Sequence, residues 1–541
     1  MPPLFRLAVV GAGPSAFYTA SRVLSRLPEA RVDLFDRLWA PHGLVRFGVA
    51  PDHPEVKNCI HKFDETASDS RFRFFGNVAF KTQNGPSMSS LRHSLVLPLS
   101  SLFPHYTHLL VANGANLPNT IASLESSFTL SALSLVHWYT GHPMSARLPP
   151  PPLSTTKHIT LVGHGNVSLD VARLLLSDPT ELAKLDIPPH VIEHLKTSTV
   201  EHINIVSRRG PAQVAFTAKE LREMMNLSGV AFRPIPDSTL APLDNANLTR
   251  QQSRLLQLLK KGSKESYVAG SGAKTWSLEF FRSPTRAFVD ENGQKQIEFD
   301  LNELDEQGRA VRTGKKEIQR TDLIATSLGY HSDPFQQSSS SSPSHPSSSP
   351  SEITSPEDVV REDPWYDPIL KRVRTSSHGR VMDAEGRHVS NVYASGWAAN
   401  GARGVIASSM YDAYDVADTM VADYLATSAA EGQAAGQEPV SHGTAPFESA
   451  VFPMASPADV MAQEEADPIG LYTYPAWLEK EIHAQEISRV VTYDQWKRVD
   501  AEEIRRGKEA GKERERMSWK EIDLFLASEG QPAHPESLEK D

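Results

Sequence analysis

Two pairs of glycines, each placed between an apolar run and a helical pattern, are the residues whose spacing most directly suggests chemistry. The first pair, Gly11 and Gly13, follows the apolar run 7–10. Gly11 permits a tight turn, Gly13 lets the backbone approach a pyrophosphate, and Ala16 allows the next helix to pack closely on the strand. The unpaired N–H groups and positive dipole end of that helix favour a phosphate. The pattern predicts a dinucleotide site, and its alternative is a glycine turn that binds nothing.

An acidic residue supports the dinucleotide prediction. The next strand-like run, 31–35, ends at Asp36. This is about 20 residues beyond the glycines, where a carboxylate would hydrogen-bond a ribose hydroxyl.

The second pair, Gly163 and Gly165, repeats the arrangement later in the chain. It follows the apolar run 159–162 and precedes a helical pattern that continues to Leu176. The third glycine position holds Ser168, so the match to the strict pattern is incomplete.

Two arginines complete this second pattern. The next predicted strand, 202–206, leads into Arg208 and Arg209 where a carboxylate would indicate NAD. A guanidinium is always charged and binds phosphate with two parallel N–H groups, so this pair suits the 2′-phosphate of NADP(H). The alternative is that both arginines are solvated surface charges.

Composition excludes several classes of protein. The chain has 541 residues, enough for two or three domains, and its net charge of −11 argues against a nucleic-acid-binding protein. It contains no apolar run long enough to span a membrane. Cys59 is the only cysteine, which excludes a disulfide framework, a Cys-x-x-Cys redox pair and an iron–sulfur cluster held by the chain's own thiolates. We expect Cys59 to be buried and inert.

Other segments position or surround these residues. Segment 43–57 is predicted to be a loop that covers a cofactor, with a helix beginning at Pro54. A helix capped by Thr217, with Glu220 three residues later, follows the arginines. Residues 249–265 form an amphipathic basic pattern, which is either a solvated face or a docking surface for an acidic partner.

A strand-like run ends on Trp397, and a helix start follows at 404–410. In a flavin site this arrangement would point a helix N-terminus at the ring's polar edge, with the tryptophan packed nearby. The alternative is that Trp397 is an ordinary core aromatic.

Taken together, the motifs resemble one family, the mitochondrial-type NADPH:adrenodoxin (ferredoxin) oxidoreductases. The resemblance spans nearly the whole chain and is carried by VVGAGPSAFYTA at 9–20, GLVRFGVAPDHPEVKN at 43–58, LVGHGNVSLDVAR at 161–173, RRGPAQVAFTAKELREM at 208–224, WSLEFFRSP at 276–284, HGRVMDAEGR at 378–387, SGW and GVI within 395–406, and YDQWKRVDAEEIRRGKEAGKERE at 493–515.

The resemblance implies the site residues position by position. For FAD it implies contacts at Gly11, Gly13, Ser15, Asp36, Leu44, Val78, Trp397, Gly404, Val405 and Ile406. For NADPH it implies contacts at Gly163, His164, Gly165, Asn166, Val167, Arg208, Arg209, Glu220 and Gly404. It matches Arg250 and Arg254 to residues that dock the ferredoxin, and places His53 and Asp170 as candidate catalytic groups near the flavin and nicotinamide. Three roles stay open for that last pair: a proton route, a positioning link, or a structural contact. No metal site is expected.

The expected fold class is α/β, with two Rossmann-like dinucleotide-binding domains in a glutathione-reductase-like architecture. An FAD-binding domain at 1–106 and 326–425 is interrupted by an NADP-binding domain at 107–325. A disordered serine- and proline-rich insertion at 336–351, a flexible linker at 426–466 and a charged helical extension at 467–541, packed on the FAD domain, complete the predicted division.

The expected activity is transfer of a hydride from NADPH to FAD, followed by passage of single electrons to an acidic, adrenodoxin-like two-iron ferredoxin. Two alternatives stay open: an electron-input module of a larger complex, and a degenerate nucleotide-binding protein without activity. The resemblance implies a mitochondrial matrix location, although the first strand begins too early for a visible transit peptide. We expect a monomer without a membrane span, and peripheral association with the inner mitochondrial membrane is a further option.

Overall fold

A computed structural model of the chain describes residues 4–83, 94–146, 148–244, 246–336, 363–434, 454–466, 474–485 and 489–529. The predicted serine- and proline-rich insertion lies outside these ranges except for Gln336. Within them, no helix combines the length and the apolar character needed to cross a membrane.

The strands in the described ranges are β1 (Arg6–Val10), β2 (Arg31–Asp36), β3 (Phe72–Gly76), β4 (Val78–Phe80), β5 (Leu95–Leu97), β6 (His108–Val111), β7 (Leu117–Pro118), β8 (Thr129–Ser131), β9 (His158–Val162), β10 (His202–Val206), β11 (Val230–Phe232), β12 (Lys274–Glu279), β13 (Arg282–Val289), β14 (Lys295–Leu304), β15 (Ala310–Arg320), β16 (Leu323–Thr326), β17 (Tyr330–His331), β18 (Tyr366–Asp367), β19 (Arg372–Val373), β20 (Arg380–Met382) and β21 (His388–Ala394).

The α-helices in the same ranges are α1 (Pro14–Arg26), α2 (Leu44–Phe47), α3 (Ile60–Ala67), α4 (Ala132–Tyr139), α5 (Asn166–Leu176), α6 (Pro179–Leu182), α7 (Pro189–Lys196), α8 (Ala218–Met225), α9 (Asp237–Leu240), α10 (Arg250–Lys261), α11 (Trp397–Asn400), α12 (Ile406–Ala434), α13 (Pro457–Ala466), α14 (Ala476–Ala484), α15 (Tyr493–Glu509) and α16 (Trp519–Glu529).

The first sheet has the strand order β20-β21-β6-β1-β2-β3, and β20 is its one antiparallel strand. Every residue of β1 is buried. Its alternate side chains enter two cores, with Val9 packed among residues of α1 and α12 and Val10 packed on the opposite face. Burial on both faces explains the continuous apolar run of the sequence.

The second sheet has the order β11-β12-β10-β9-β16-β8, with every neighbouring pair parallel. Its strands all lie in the chain between β6 and β20, so this sheet is inserted within the first. We call each sheet with its covering helices the first unit and the second unit. The predicted α/β class with two Rossmann-like units, one interrupting the other, is confirmed.

The strand β6 departs from the predicted division of the chain. The division began the second domain at residue 107, but β6 pairs with β1 and β21 of the first sheet. A buried strand that ends at a glycine turn has the same local pattern in either sheet, so tertiary pairing decides its place. Within the second unit, β13, β14 and β15 form a long antiparallel meander.

The predicted linker at 426–466 contains helix at both ends, because α12 continues to Ala434 and α13 occupies Pro457–Ala466. Alanine, glutamate and glutamine favour a helix unless proline or glycine interrupts them. Residues 435–453 lie outside the described ranges.

The C-terminal residues 489–529, which we call the tail, bury several large and charged side chains. Trp496 packs against Trp39, and Glu503 is fully buried in an ion pair with Arg46 at 2.9 Å. The tail therefore contributes core to the first unit. Its Arg516 also pairs with Asp186 of the second unit at 2.7 Å, so the tail contacts both units.

Candidate dinucleotide sites

The first glycine turn joins β1 to α1. Gly11 has φ +106°, a conformation that side chains rarely adopt, and a Cβ there would collide with the carbonyl oxygen of Ala112. Its N–H donates to the Phe35 carbonyl at 2.7 Å. A Cβ on Gly13 would meet no protein atom within 4 Å, so this backbone faces open space. Gly11 is required by the fold, whereas Gly13 leaves room for a ligand.

Asp36 braces this turn from the end of β2. Its carboxylate accepts hydrogen bonds from the N–H of Ala12 and the N–H of Leu38, both at 2.8 Å. Burial raises the pKa of Asp36, while these two N–H groups act in the opposite direction. Each carboxylate oxygen has a second lone pair, so Asp36 can still accept from a ribose hydroxyl.

A cleft of about 990 Å³ opens at the carboxyl ends of the parallel strands β1, β2, β6 and β21. Ligands of open α/β sheets bind at such an edge. The cleft is lined in part by apolar side chains that remain exposed, with Leu44 40% and Val405 58% accessible. An exposed apolar lining of this kind suits a planar ring system.

An adjoining cleft of about 1350 Å³ shares Gly11 and Asp36 with the first and extends to Val78. Two buried amide oxygens in the shared region, on Asn113 and Asn116, have no hydrogen-bond partner within the described part of the chain. Buried polar atoms are normally satisfied, so these oxygens are available to accept hydrogen bonds from a polar ligand. Together the two clefts fit an elongated ligand such as a dinucleotide.

A further part of the first cleft's wall is built by α11 and the start of α12. The indole Nε1 of Trp397 donates to the Arg403 carbonyl at 3.1 Å, and the Trp397 ring stacks on Tyr330 at a centroid distance of 6.3 Å. Gly404 has φ +81°, and Val405 N–H donates to Ser408 Oγ at 2.9 Å. Trp397 is half-buried at the cleft. Ile406 begins α12 there, and Ser15 is buried in α1 beneath Gly396.

The second glycine turn joins β9 to α5. Gly163 has φ +128°, and a Cβ there would collide with the Ser327 carbonyl oxygen, whereas a Cβ on Gly165 would meet no protein atom within 4 Å. Ser168, at the third glycine position, donates its hydroxyl proton to the Gly163 carbonyl at 2.5 Å. The serine therefore supports the turn that the sequence pattern left incomplete.

Neighbouring side chains hold this second turn in place. His164 is buried, which lowers its pKa to about 4, and its Nε2 donates to the Ile205 carbonyl at 2.8 Å. Its Nδ1 has no partner in the described ranges. Asn166 Oδ1 accepts from the Thr217 N–H at 2.9 Å, which joins α5 to α8, and Val167 packs against the core of this unit.

Arg208 and Arg209 lie exposed at the end of β10. Their backbone carbonyls accept from the Asn302 side-chain amide and the Ser207 hydroxyl, both at 2.9 Å. Among the described residues, neither guanidinium group has an ion-pair partner. Nearby, Glu220 accepts from the Thr217 hydroxyl in the first turn of α8. Two unpaired guanidinium groups beside a glycine turn can bind a phosphate dianion.

His53 and Asp170 belong to one charged cluster, although they do not contact each other directly. His53 Nε2 donates to Glu223 Oε2 at 2.8 Å. Arg173 binds Asp52 with two N–H groups, at 2.5 and 2.9 Å, and lies 2.9 Å from Asp170 and 3.5 Å from Glu223. The structure thus groups three carboxylates around one arginine and one histidine.

Burial dominates the electrostatics of Asp170. It raises the pKa of Asp170 to about 6, against the opposing effects of Arg173 and His53. The phenols of Tyr139 and Tyr330 lie in the same electrostatic environment, and burial raises the pKa of both. Burial therefore favours the protonated form of Asp170 relative to an exposed carboxyl group.

The predicted basic helix is α10. Its capping box joins Thr249 and Gln252, and three leucines bury one face in the core of the second unit. Arg250 and Arg254 are exposed on the other face.

Cys59 is half-buried rather than fully buried, and burial raises the pKa of its thiol, which reduces its nucleophilicity.

Sequence reasoning missed Asn113 and Asn116 in the clefts, and Asp52, Arg173 and Glu223 in the charged cluster. The asparagines had a usable signal, since they follow a buried strand at the edge where ligands bind. The other three had none, because ion pairs between distant segments depend on tertiary packing.

No protein-family model matches the chain. The human mitochondrial NADPH:adrenodoxin oxidoreductase is 34% identical over 531 residues, covering 95% of this chain and 90% of the human protein. A probable NADPH:adrenodoxin oxidoreductase of Schizosaccharomyces pombe is 34% identical over 436 residues, covering 77% of this chain and 82% of that protein.

Solved structures of FprA from Mycobacterium tuberculosis are also similar. The structure of FprA in complex with NADPH is 28% identical, with a TM-score of 0.71, and covers 96% of this chain and 99% of that chain. The likeness therefore extends over both units. On the identity and coverage of its relatives, this chain belongs to the NADPH:adrenodoxin oxidoreductase family.

Proposed function

We propose that this chain is an FAD-dependent NADPH:ferredoxin oxidoreductase, which takes a hydride from NADPH onto FAD and passes single electrons to an acidic two-iron ferredoxin. One observation carries the proposal: a single chain holds two glycine turns at the carboxyl ends of parallel strands in two separate sheets, one turn beside Asp36 and the other beside Arg208 and Arg209. A carboxylate suits a ribose, whereas an arginine pair suits a 2′-phosphate.

The first unit fits FAD. Open space at Gly13 admits a pyrophosphate, the exposed apolar lining admits the flavin ring, and the unpartnered amide oxygens of Asn113 and Asn116 can accept from the ligand. The residues proposed to hold it are Gly11, Gly13, Ser15, Asp36, Leu44, Val78, Trp397, Gly404, Val405 and Ile406.

The second unit fits NADPH. Open space at Gly165 admits its pyrophosphate, and the unpaired guanidinium groups of Arg208 and Arg209 suit the 2′-phosphate. The residues proposed to hold it are Gly163, His164, Gly165, Asn166, Val167, Arg208, Arg209, Glu220 and Gly404.

The bound cofactors supply the redox chemistry, since FAD can accept a hydride and release electrons one at a time. The protein's own residues then have to orient the two cofactors and shield them from water. Glu223 fixes the imidazole of His53 through Nε2, and Arg173 holds Asp170 beside the same cluster. We propose His53 and Asp170 as the groups that hold or move a proton next to the reacting rings.

The electron acceptor is proposed to dock on α10. Arg250 and Arg254 present positive charge on an exposed face of a chain whose net charge is −11. Such a patch steers an acidic partner and gives an association rate that falls with salt. The mitochondrial names of the relatives support a mitochondrial location, and we propose the matrix side as the finer location. We further propose an FAD-binding part formed by the first unit, an NADP-binding part formed by the second, a monomeric state, and peripheral association with the inner membrane.

An anaerobic titration tests the proposal. NADPH should bleach the flavin absorbance of the purified protein at a much lower concentration than NADH. A two-iron ferredoxin of the adrenodoxin type should then restore the absorbance. A flavin that neither nucleotide bleaches would contradict the activity and favour a degenerate nucleotide-binding protein. Bleaching without reoxidation by the ferredoxin would instead favour an electron-input module.

A further inference from the structure

The segment 52–57, in the connection between β2 and β3, contacts the second unit through each of its charged or titratable side chains. The contacts are Asp52 with Arg173, His53 with Glu223, Glu55 with Lys219, and Lys57 with Asp186. The partners lie on α5, on α8 and in the connection between α6 and α7. Six consecutive residues of the first unit therefore make four polar contacts with the other unit.

Burial distinguishes the Asp52–Arg173 and Lys57–Asp186 pairs from the Glu55–Lys219 pair. The side chains of Arg173 and Asp186 are each only 4% exposed, whereas Glu55 and Lys219 are 55% and 50% exposed. Removing one partner of a buried ion pair is costly because the other charge is left uncompensated. An exposed ion pair contributes little to the stability of the contact, because water screens its charges. The Asp52–Arg173 and Lys57–Asp186 pairs can therefore constrain the relative placement of the two units more strongly than the Glu55–Lys219 pair.

The tail reinforces the second buried pair. Arg516 binds Asp186 with two N–H groups, both at 2.7 Å, and also donates to the Arg46 carbonyl of the first unit at 2.9 Å. Lys512 donates to the Ile187 carbonyl at 3.0 Å. Asp186 is consequently held by the first unit through Lys57 and by the tail through Arg516.

The same residues connect the two dinucleotide sites. Arg173 lies on α5, the helix that begins at the second glycine turn, and Asp52 follows the segment whose Leu44 lines the first cleft. We propose that the ion pairs Asp52–Arg173 and Lys57–Asp186 form a clamp that sets the separation of the two sites, with Arg173 and Asp186 as positioning residues for hydride transfer. This inference rests on the proposed function. Hydride transfer needs close approach of the reacting atoms, and a displacement of about 1 Å can cost about 100-fold in rate.

Two substitutions weaken the clamp while leaving its buried charges paired. Lys57→Met leaves Asp186 with Arg516, and Asp52→Asn leaves Arg173 with Asp170 and Glu223. Both variants are therefore expected to fold and to retain FAD. Glu55→Gln is the matched control, since it removes an exposed contact between the same two units.

Three quantities are measured on the FAD-loaded protein: the rate of flavin bleaching at saturating NADPH, the Kd of NADP⁺, and the distance between spin labels on the two units. The labels occupy Ser25→Cys on α1 and Lys196→Cys on α7 in a Cys59→Ser background. We expect Lys57→Met and Asp52→Asn to slow bleaching about tenfold or more and to broaden the distance distribution. The Kd should change less than about threefold, and Glu55→Gln should behave like the unaltered protein.

An unchanged distance distribution, or an unchanged bleaching rate, in both clamp variants would overturn the inference. So would an equal effect in Glu55→Gln. Failure of the proposed function is distinguishable, because the unaltered protein would then not be bleached by NADPH at all. The label distance is read independently of activity.

Discussion

Gly11 and Gly163 occupy corresponding places in the two sheets. Gly11 donates its N–H to the carbonyl of Phe35, the second-to-last residue of β2, at 2.7 Å. Gly163 donates its N–H to the carbonyl of Val206, the last residue of β10, at 2.9 Å. Each also has a positive φ and lies against the carbonyl of the residue that follows the strand on its other side, Ala112 after β6 and Ser327 after β16. Gly13 and Gly165 each lie two positions further along the chain, and they differ from Gly11 and Gly163 in having open space where a Cβ would be.

This difference predicts separate effects of alanine at the two positions of each pair. Gly165→Ala should leave folding and FAD content unchanged and weaken NADPH binding at least tenfold, because the methyl group occupies the space that admits the pyrophosphate. Gly163→Ala should lower the free energy of unfolding by about 1–3 kcal/mol or more, because its backbone becomes strained. Calorimetric titration measures the affinity for NADPH, and thermal unfolding measures the loss of stability. Equal destabilisation by the two substitutions would contradict the assignment.

The arginine pair should determine the preference for NADPH. Arg208→Ala and Arg209→Ala should each weaken NADPH binding by about 1.5–3 kcal/mol, the contribution of a hydrogen bond to a charged group. The binding of NADH, which lacks the 2′-phosphate, should change little. Flavin bleaching at a series of nucleotide concentrations gives both affinities. A parallel loss for both nucleotides would show that these arginines do not read the 2′-phosphate.

Asp170 predicts a pH dependence of stability. The pKa of Asp170 is about 6 in the folded protein, whereas an aspartate in the unfolded chain has its ordinary pKa of 3.8. The folded state therefore holds the proton more tightly. Stability therefore decreases as the pH rises from about 4 to about 6, by up to about 3 kcal/mol from this group. Asp170→Asn should remove that decrease. Urea unfolding across this pH range measures it, with Asp494→Asn as the control for loss of one exposed carboxylate. The same pH slope in Asp170→Asn and the unaltered protein would contradict the prediction.

The basic face of α10 should affect only the second half of the reaction. Arg250→Glu and Arg254→Glu should slow ferredoxin reduction and flatten its dependence on ionic strength, because the long-range attraction to an acidic partner is lost. The rate of flavin bleaching by NADPH should be unaffected and serves as the internal control. Stopped-flow measurements at several salt concentrations separate the two steps. Ferredoxin reduction with an unchanged salt dependence would place docking elsewhere.

Local sequence was sufficient for the elements around the two dinucleotide sites. The strand 202–206 and the end of the helix at Leu176 are observed as predicted, and β2 ends at Asp36. Each of these elements depends on residues that are close in sequence. A continuous apolar run forms the buried strand, only glycine tolerates the turn that follows, and the next helix starts with free N–H groups. The arginines after β10 follow from the same reasoning, since the end of a parallel strand points to the ligand edge.

Tertiary structure alone decided the remaining features. The sheet to which β6 belongs, the burial of Glu503 in the tail, and the contacts between segment 52–57 and the second unit all depend on chain segments far apart in sequence. Charged residues in a loop have the same local pattern whether they are solvated or paired. Burial against a specific partner distinguishes the two, and here it joins Asp52 to Arg173 and Lys57 to Asp186 across the two units.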